Sequence, residues 1–301
     1  MRALFTRGSA SLARDFQFVP KHSAPRTEDV TVLRKFYEDH GKIFVLTGAG
    51  ISTESGIPDY RSEGVGLYNR TNHRPMYIQE FMKSSEFRKR YWARNYVGWP
   101  KFSSAEPNEA HKTVREWEVE GKVGVLVTQN VDRLHHKAGS TSAIELHGTG
   151  YEVICLQCKD FREDRHQFQK VLDDSNPHFM VEGNGNEIRP DGDIDLDPSQ
   201  VEQFVIPPCP HCGGILKPDI VFFGDNVPKS RVEKIYESLS TCDSLLVLGS
   251  SLQVFSSYRF ILRAKEQGIP IAIVTLGPTR GDTLASIKLT SRVGEILSLV
   301  N

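Results

Sequence analysis

The chain has 301 residues, of which 39% are hydrophobic and 25% charged, and its formal net charge is −1. A chain of this size buries a large core without disulfide staples, as one large domain or one large and one small. The near-neutral balance offers no electrostatic footprint for nucleic acid, and the longest apolar runs, such as residues 43–46 and 245–248, are far too short to span a bilayer.

The first fourteen residues hold Arg2, Arg7 and Arg14 with Ser9, Ser11 and no acid. That composition predicts a mitochondrial transit peptide, with residues 1–27 as leader and linker and the matrix as destination. Residues 30–40 repeat Val30, Leu33 and Tyr37 on one helical face, and Gly41 is placed to end that helix. Residues 43–47 are a continuous apolar run, as buried parallel strands are, and similar runs recur at 123–128, 245–249 and 271–276. Between them, residues 109–118 put Ala110, Val114 and Trp117 on one stripe, and 255–265 is a second helical pattern. Strands alternating with helices predict an α/β fold, a doubly wound parallel sheet of Rossmann-like type that binds ligands at the carboxyl ends of its strands. Two stretches break the rhythm: residues 84–99 are helical, aromatic and basic, and 151–216 hold paired cysteines. The expected division is therefore a nucleotide-binding domain from 28–65, 101–150 and 217–301, and a smaller helical and zinc-binding domain from 66–100 and 151–216.

The residues after each apolar run carry the chemistry. Gly48-Ala49-Gly50-Ile51-Ser52 follows the first, and glycines there let the backbone approach a pyrophosphate at a helix start. Thr53 stands where a dinucleotide fingerprint wants its third glycine, which argues against a simple hydride-transfer enzyme. Gln129-Asn130-Val131-Asp132 follows the second run; an N-cap and turn explain one or two of its polar side chains but not all three. His147, in Leu146-His147-Gly148, is a candidate general base with an ordinary pKa near neutrality. Gly249-Ser250-Ser251 is a small, hydroxyl-rich turn suited to phosphate or ribose.

Five cysteines exclude a fully paired disulfide framework. Cys155-Leu156-Gln157-Cys158 and Cys209-Pro210-His211-Cys212 give four thiolates in two chelating turns, the donor set of one structural Zn2+ with no position open for catalysis. Cys242 reads as a small buried hydrophobe. Between the pairs, residues 182–202 carry seven acids against one base, Arg189.

From about residue 30 to 300 this ordered set resembles the sirtuin family. The resemblance rests on Gly48-Ala49-Gly50-Ile51-Ser52, Ser55-Gly56-Ile57-Pro58-Asp59-Tyr60-Arg61, Thr128-Gln129-Asn130-Val131-Asp132, Leu146-His147-Gly148, both cysteine pairs, Lys217-Pro218-Asp219-Ile220-Val221-Phe222-Phe223-Gly224 and Gly249-Ser250-Ser251-Leu252. Asp59-Tyr60-Arg61-Ser62, Tyr91-Trp92-Ala93-Arg94-Asn95, Val97-Gly98-Trp99-Pro100 and Gly277-Pro278-Thr279-Arg280 are most similar to the mitochondrial branch known for lipoamidase, other deacylase and ADP-ribosyltransferase activities.

The resemblance implies NAD as cosubstrate, held by Gly48, Ala49, Gly50, Thr53, Asp59, Tyr60, Arg61 and Tyr68, by Gln129, Asn130, Val131 and Asp132, and by Gly249, Ser250, Ser251, Thr275, Leu276, Gly277 and Val293. It makes Asn130, Asp132 and His147 catalytic: nicotinamide leaves as the acyl oxygen captures the ribose carbon, and His147 then deprotonates a ribose hydroxyl so that the adduct collapses and, with water, gives O-acyl-ADP-ribose. An acylated lysine peptide of a mitochondrial protein would add as a strand between Val221, Phe222, Phe223, Gly224 and the Leu252-Gln253-Val254 segment. Tyr91 and Arg94 are similar to a fork that grips acidic acyl chains, which implies glutaryl or methylglutaryl substrates beside lipoyl, biotinyl and, weakly, acetyl groups. A monomer is favoured. Protein mono-ADP-ribosyl transfer and a low-turnover NAD- or ADP-ribose-sensing module are the competing expectations. Arg133, Thr275 and Asp225 depart from the family pattern. The long acidic stretch is expected to fold over the acyl channel, with Arg189 reaching inward.

Overall fold

The protein is described from a computed structural model covering residues 17–71, 75–179 and 188–300. The arginine-bearing start, and Gly183 and Gly185 of the acidic stretch, lie outside the described residues.

Six parallel strands make the main sheet: β1 (Ile43–Thr47), β2 (Val123–Thr128), β3 (Ile144–Glu145), β7 (Ser244–Leu248), β8 (Ile271–Val274) and β9 (Ile287–Leu289), ordered β3-β2-β1-β7-β8-β9. Side chains alternate across a strand, so each run feeds both faces. Val45, Leu126 and Leu246 meet Leu33, Phe36, Trp117 and Ile296 on one face. Phe44, Val127 and Val247 meet Ile235, Leu239 and Phe260 on the other. Helices cover both faces, which is why β1 and β7 are buried along their whole length. Each such side chain stabilises the fold by roughly 1.5–3 kcal/mol. The chain order reverses between β1 and β7, and that switch point opens a crevice at their carboxyl ends.

A second, antiparallel sheet has the order β5-β4-β6, from β4 (Gly148–Cys155), β5 (Arg162–Asp164) and β6 (Leu216–Ile220). Its core is aromatic: Trp92, Trp99 and Phe102 of the Ser85–Ser103 helix pack with Tyr151, Val153 and Phe168. Ser84 caps that helix by accepting from Phe87 N.

Two local expectations change. The first helix begins at Thr27, and Gly41 is no left-handed cap: His40 is extended and Gly41 N donates to Asp243 Oδ2 at 2.8 Å. A helix at Arg165–Ser175 starts where Asp164 accepts from His166 N and Gln167 N. Pro100 does not end the long helix, which runs on to Ser103. No helix among the described residues is long and apolar enough to cross a membrane.

Leu246 is fully buried at the sheet centre whereas Leu299 is 46% exposed. Leu246→Ala should lower unfolding stability by about 2–5 kcal/mol, and Leu299→Ala by under about 0.5 kcal/mol. Denaturant titration checks this, and equal losses would contradict the assignment of the core.

Candidate active site

The turns after β1 and β7 interlock backbone to backbone. Gly48 N donates to Leu248 O at 3.1 Å and Gly50 N to Gly249 O at 2.8 Å. A Cβ on Gly48 would stand 2.7 Å from Ser250 Cβ, and one on Gly50 would stand 2.8 Å from Gly249 O. Gly249 has φ +60°, and a Cβ there would lie 2.4 Å from Ile51 N. These glycines are therefore demanded by the contact itself. Two short 3-10 turns, Ala49–Ile51 and Thr53–Ser55, follow in place of a full helix. Thr53 replaces the third glycine because its hydroxyl ties the turn, donating to Gly50 O at 3.0 Å.

The polar run after β2 braces this junction. Gln129 Nε2 donates to Thr47 O and to Ser250 Oγ at 3.1 and 2.8 Å. Asn130 Nδ2 donates to Gly48 O and Ser52 Oγ at 3.1 and 3.0 Å. Ser52 Oγ in turn donates to Asp132 Oδ2 at 2.7 Å, and Leu134 N donates to Asp132 Oδ1 at 2.9 Å. Burial raises the Asp132 pKa, opposed by those two hydrogen bonds. Arg133, where a small residue is usual, adopts a left-handed φ of 57° and is held by Glu152 at 2.6 Å.

His147 sits between β3 and β4, on the wall of the crevice. Its Nδ1 is 3.0 Å from Gln129 O, which can only accept, so Nδ1 carries the proton. Nε2 is then the basic atom, 2.8 Å from Ser256 Oγ. Burial pulls the ring's pKa down to about 4, below its ordinary value. The ring is therefore a neutral acceptor throughout the physiological range.

All of this opens on one cavity of about 1230 Å3. Ala49, Gly50, Thr53, Asp59, Tyr60 and Arg61 line it, as do Gln129, Asn130, Val131, Asp132 and His147. Gly249, Ser250, Ser251, Thr275, Leu276, Gly277 and Val293 form another wall, and Val221, Phe222, Phe223 and Gly224 a third. Asp59 shapes its loop, accepting from Arg61 N and Ser62 N at 3.0 and 2.8 Å.

Five expected site residues do not reach the cavity surface. Gly48 lies in the interlocked turn, and Tyr68 stacks 5.5 Å from Tyr60. Leu252 is 1% exposed with φ 56°. Tyr91 is buried between the rings of Phe81 and Phe222. Arg94 Nε donates to Ile194 O at 2.6 Å, and its Nη2 lies 3.4 Å from both Asp193 Oδ1 and Asp195 Oδ1. Arg189, also expected to point inward, is 3% exposed and pairs with the same two acids. The buried Arg189 and the half-buried Arg94 need counter-charges, and the acidic stretch supplies them. Among its described residues, Pro190 and Asp191 line the cavity. Ser52, Ser256 and the segment 19–26 escaped the sequence reading; only Ser52 lay within a recognised motif.

The four cysteines Cys155, Cys158, Cys209 and Cys212 bring their Sγ atoms within 4.8 Å of one another. Cys155–Cys212 and Cys158–Cys209 are 3.5 and 3.8 Å apart. A disulfide needs about 2.05 Å, whereas Zn–S bonds of about 2.3 Å in a regular tetrahedron need edges of about 3.8 Å. The donor set fits a structural Zn2+. Gly214 is required there, since its Cβ would stand 2.9 Å from Cys155 Sγ.

A cavity of about 1230 Å3 at the switch point of a Rossmann-like sheet, with a neutral histidine on its wall and four cysteines that fit a metal ion, marks the class of a nucleotide-binding α/β enzyme. The chain belongs to the Sir2 family, whose model matches residues 48–256. It is 52% identical over 96% of its length to the NAD-dependent protein deacylase Sirt4 of Drosophila melanogaster, covering 91% of that protein. To the mitochondrial NAD-dependent protein lipoamidase sirtuin-4 of Homo sapiens it is 51% identical over 94% of its length and 90% of that chain. A solved Sir2–p53 peptide–NAD+ complex superposes with TM-score 0.69 at 28% identity, covering 90% of this chain and 96% of that one. Another, with deacetylated p53 peptide and 3′-O-acetyl-ADP-ribose, gives TM-score 0.72 at 29% identity, covering 90% and 97%.

Because His147 is lowered to about 4, kcat/KM should stay flat as pH falls from 8 to about 5.5 and decline only as pH drops through about 4. A free-enzyme pKa near its ordinary value of about 6.5 would contradict this ring environment. Zinc analysis should return one ion per chain, and Cys209→Ser should lose both the ion and thermal stability; a variant that keeps its melting temperature would remove the metal from the fold's support.

Proposed function

We propose that this protein is an NAD-dependent protein-lysine deacylase of the mitochondrial matrix, acting on lipoyl- and biotinyl-type acyl chains and weakly on acetyl groups. The observation that carries the reading is His147: an imidazole whose Nδ1 proton is fixed by Gln129 O and whose Nε2 meets Ser256 Oγ, on the wall of the cavity that Asn130 and Asp132 also line. The sheet domain (28–65, 101–150 and 217–301) holds the dinucleotide, and the inserted segments (66–100 and 151–216) hold the metal, with one helix crossing the boundary at residue 100.

When bound, NAD supplies an activated ribose carbon at its nicotinamide bond. The roles of the chain's own groups follow from their positions. Ala49 and Thr53 offer backbone N–H groups to the diphosphate at the turn after β1, and Gly50, with no side chain, lets it approach. Asn130 and Asp132, locked through Ser52, orient the nicotinamide ribose. His147 Nε2 takes a ribose hydroxyl proton, and Ser256 marks the position that hydroxyl replaces. The backbone of Val221 to Gly224 and of Gln253 and Val254 flanks an acyl-lysine peptide added as a strand.

The acyl preference differs from the one expected of a Tyr91–Arg94 fork. Arg94 is committed to Asp193, Asp195 and Ile194 O, and Asp191 faces the cavity. A carboxylate on that wall opposes an acidic acyl chain. Neutral chains such as lipoyl are therefore favoured over glutaryl.

Mass spectrometry of acyl-lysine peptides, with and without NAD, tests this. Lipoyl or biotinyl loss should require NAD, exceed glutaryl loss by about tenfold or more, and fall by about 10²–10⁴ in His147→Ala. NAD turnover with every peptide intact would instead support ADP-ribosyl transfer to another nucleophile.

A further inference from the structure

The segment just before the first helix was assigned on sequence to a leader and linker, yet it is built into the cavity. Phe18 and Val19 are only 3% and 9% exposed. The Arg70 guanidinium lies 5.3 Å from the Phe18 ring centroid, and Arg70 Nε donates to Val65 O at 2.6 Å. Phe18 is thereby joined to the loop that carries Asp59, Tyr60 and Arg61. At the other end Arg26 grips Asp29 through hydrogen bonds of 2.9 and 2.6 Å, and Arg26 O accepts from Val30 N. Between these anchors residues 19–24 line the cavity.

The middle of the segment is placed by charge. His22 Nε2 stands 3.5 Å from Glu295 Oε2. Arg292 Nε donates to Glu295 at 3.2 Å and Arg292 Nη1 to Glu54 at 3.0 Å. Glu54 directly follows Thr53, in the turn assigned above to the diphosphate. Arg26 faces Asp29 and His22 faces Glu295, while Lys21 is exposed on the cavity wall between them. An ammonium group on a flexible stem at that place is a point-charge ligand for phosphate.

We propose that residues 18–24 are a working wall of the dinucleotide cavity, anchored by Phe18 under Arg70 and presenting Lys21 to the diphosphate of NAD. The assignment rests on NAD as the cosubstrate. It also places any processing cut made on import before Phe18, because removal of the anchor would strip the wall.

Calorimetric titration of ADP-ribose into the full chain, Lys21→Gln, Phe18→Ala and a chain starting at Thr27 tests the proposal, with NAD KM and kcat measured in parallel. Zinc content and melting temperature report whether each variant is folded. Lys21→Gln should weaken ADP-ribose binding by about three- to tenfold and flatten its salt dependence. Phe18→Ala and the shortened chain should raise Kd and the NAD KM by about tenfold, with kcat changed by less than about twofold. Kd values within twofold of the full chain, in folded variants, would overturn the wall. Failure of the full chain itself to bind ADP-ribose or NAD would overturn the cosubstrate reading and the wall with it. Intact mass of the protein recovered from mitochondria should place its N-terminus at or before residue 18; an active mature chain beginning after Ala24 would overturn the proposal.

Discussion

The close approach of Gly50 to Gly249 is the constraint on which the rest of the site depends. At a switch point the connections leave two neighbouring parallel strands in opposite directions, and here the turns after β1 and β7 stay in backbone contact at 2.8 Å. Such an approach leaves polar backbone groups in a place water cannot reach, and each must find a partner. Gln129 and Asn130 supply that need, bonding Thr47 O and Gly48 O. The polar run after β2 is thus scaffold first. Through Ser52 the same scaffold fixes Asp132, and through Gln129 O it fixes the tautomer of His147. Gln129, Asn130 and Asp132 of that run thus brace the junction and place the groups around the cavity together.

The metal module reaches this site along one strand. His147 lies between β3 of the main sheet and β4 of the small one, and Cys155 ends β4. β6, which starts at Leu216 beyond the second cysteine pair, bonds β4 and runs on to Val221, whose N donates to His147 O at 2.8 Å. Gly148 permits the crossing: with φ +79°, any Cβ there would stand 1.8 Å from Asp219 O. Holding four sulfurs together therefore holds the strand pair that carries His147 and leads into Val221. A closed thiolate site, with no position open for catalysis, acts through that geometry.

The apolar runs and the motifs at their ends were legible because short-range pattern determines them: a buried strand must be apolar, and a tight turn must have glycine. Cys155, Cys158, Cys209 and Cys212 were legible because metal chelation imposes local spacing. What escaped depends on distant partners. Arg94 reads as a free cation in its own helix, and its acids lie about a hundred residues away at Asp193 and Asp195. The pKa of His147 is set by burial, which no local sequence displays. Phe18 to Ala24 have no periodicity, so nothing in the chain marks them as a cavity wall; the contact with Arg70 does.

Titration of ADP-ribose into the native protein and Gly249→Ala, with zinc content as the check on folding, tests the central claim most directly. The interlocked-turn account predicts a zinc-loaded variant whose affinity falls by more than about tenfold, because a Cβ at residue 249 must push the β1 turn away. Unchanged affinity in that variant would show that the approach of the two turns does not build the dinucleotide site.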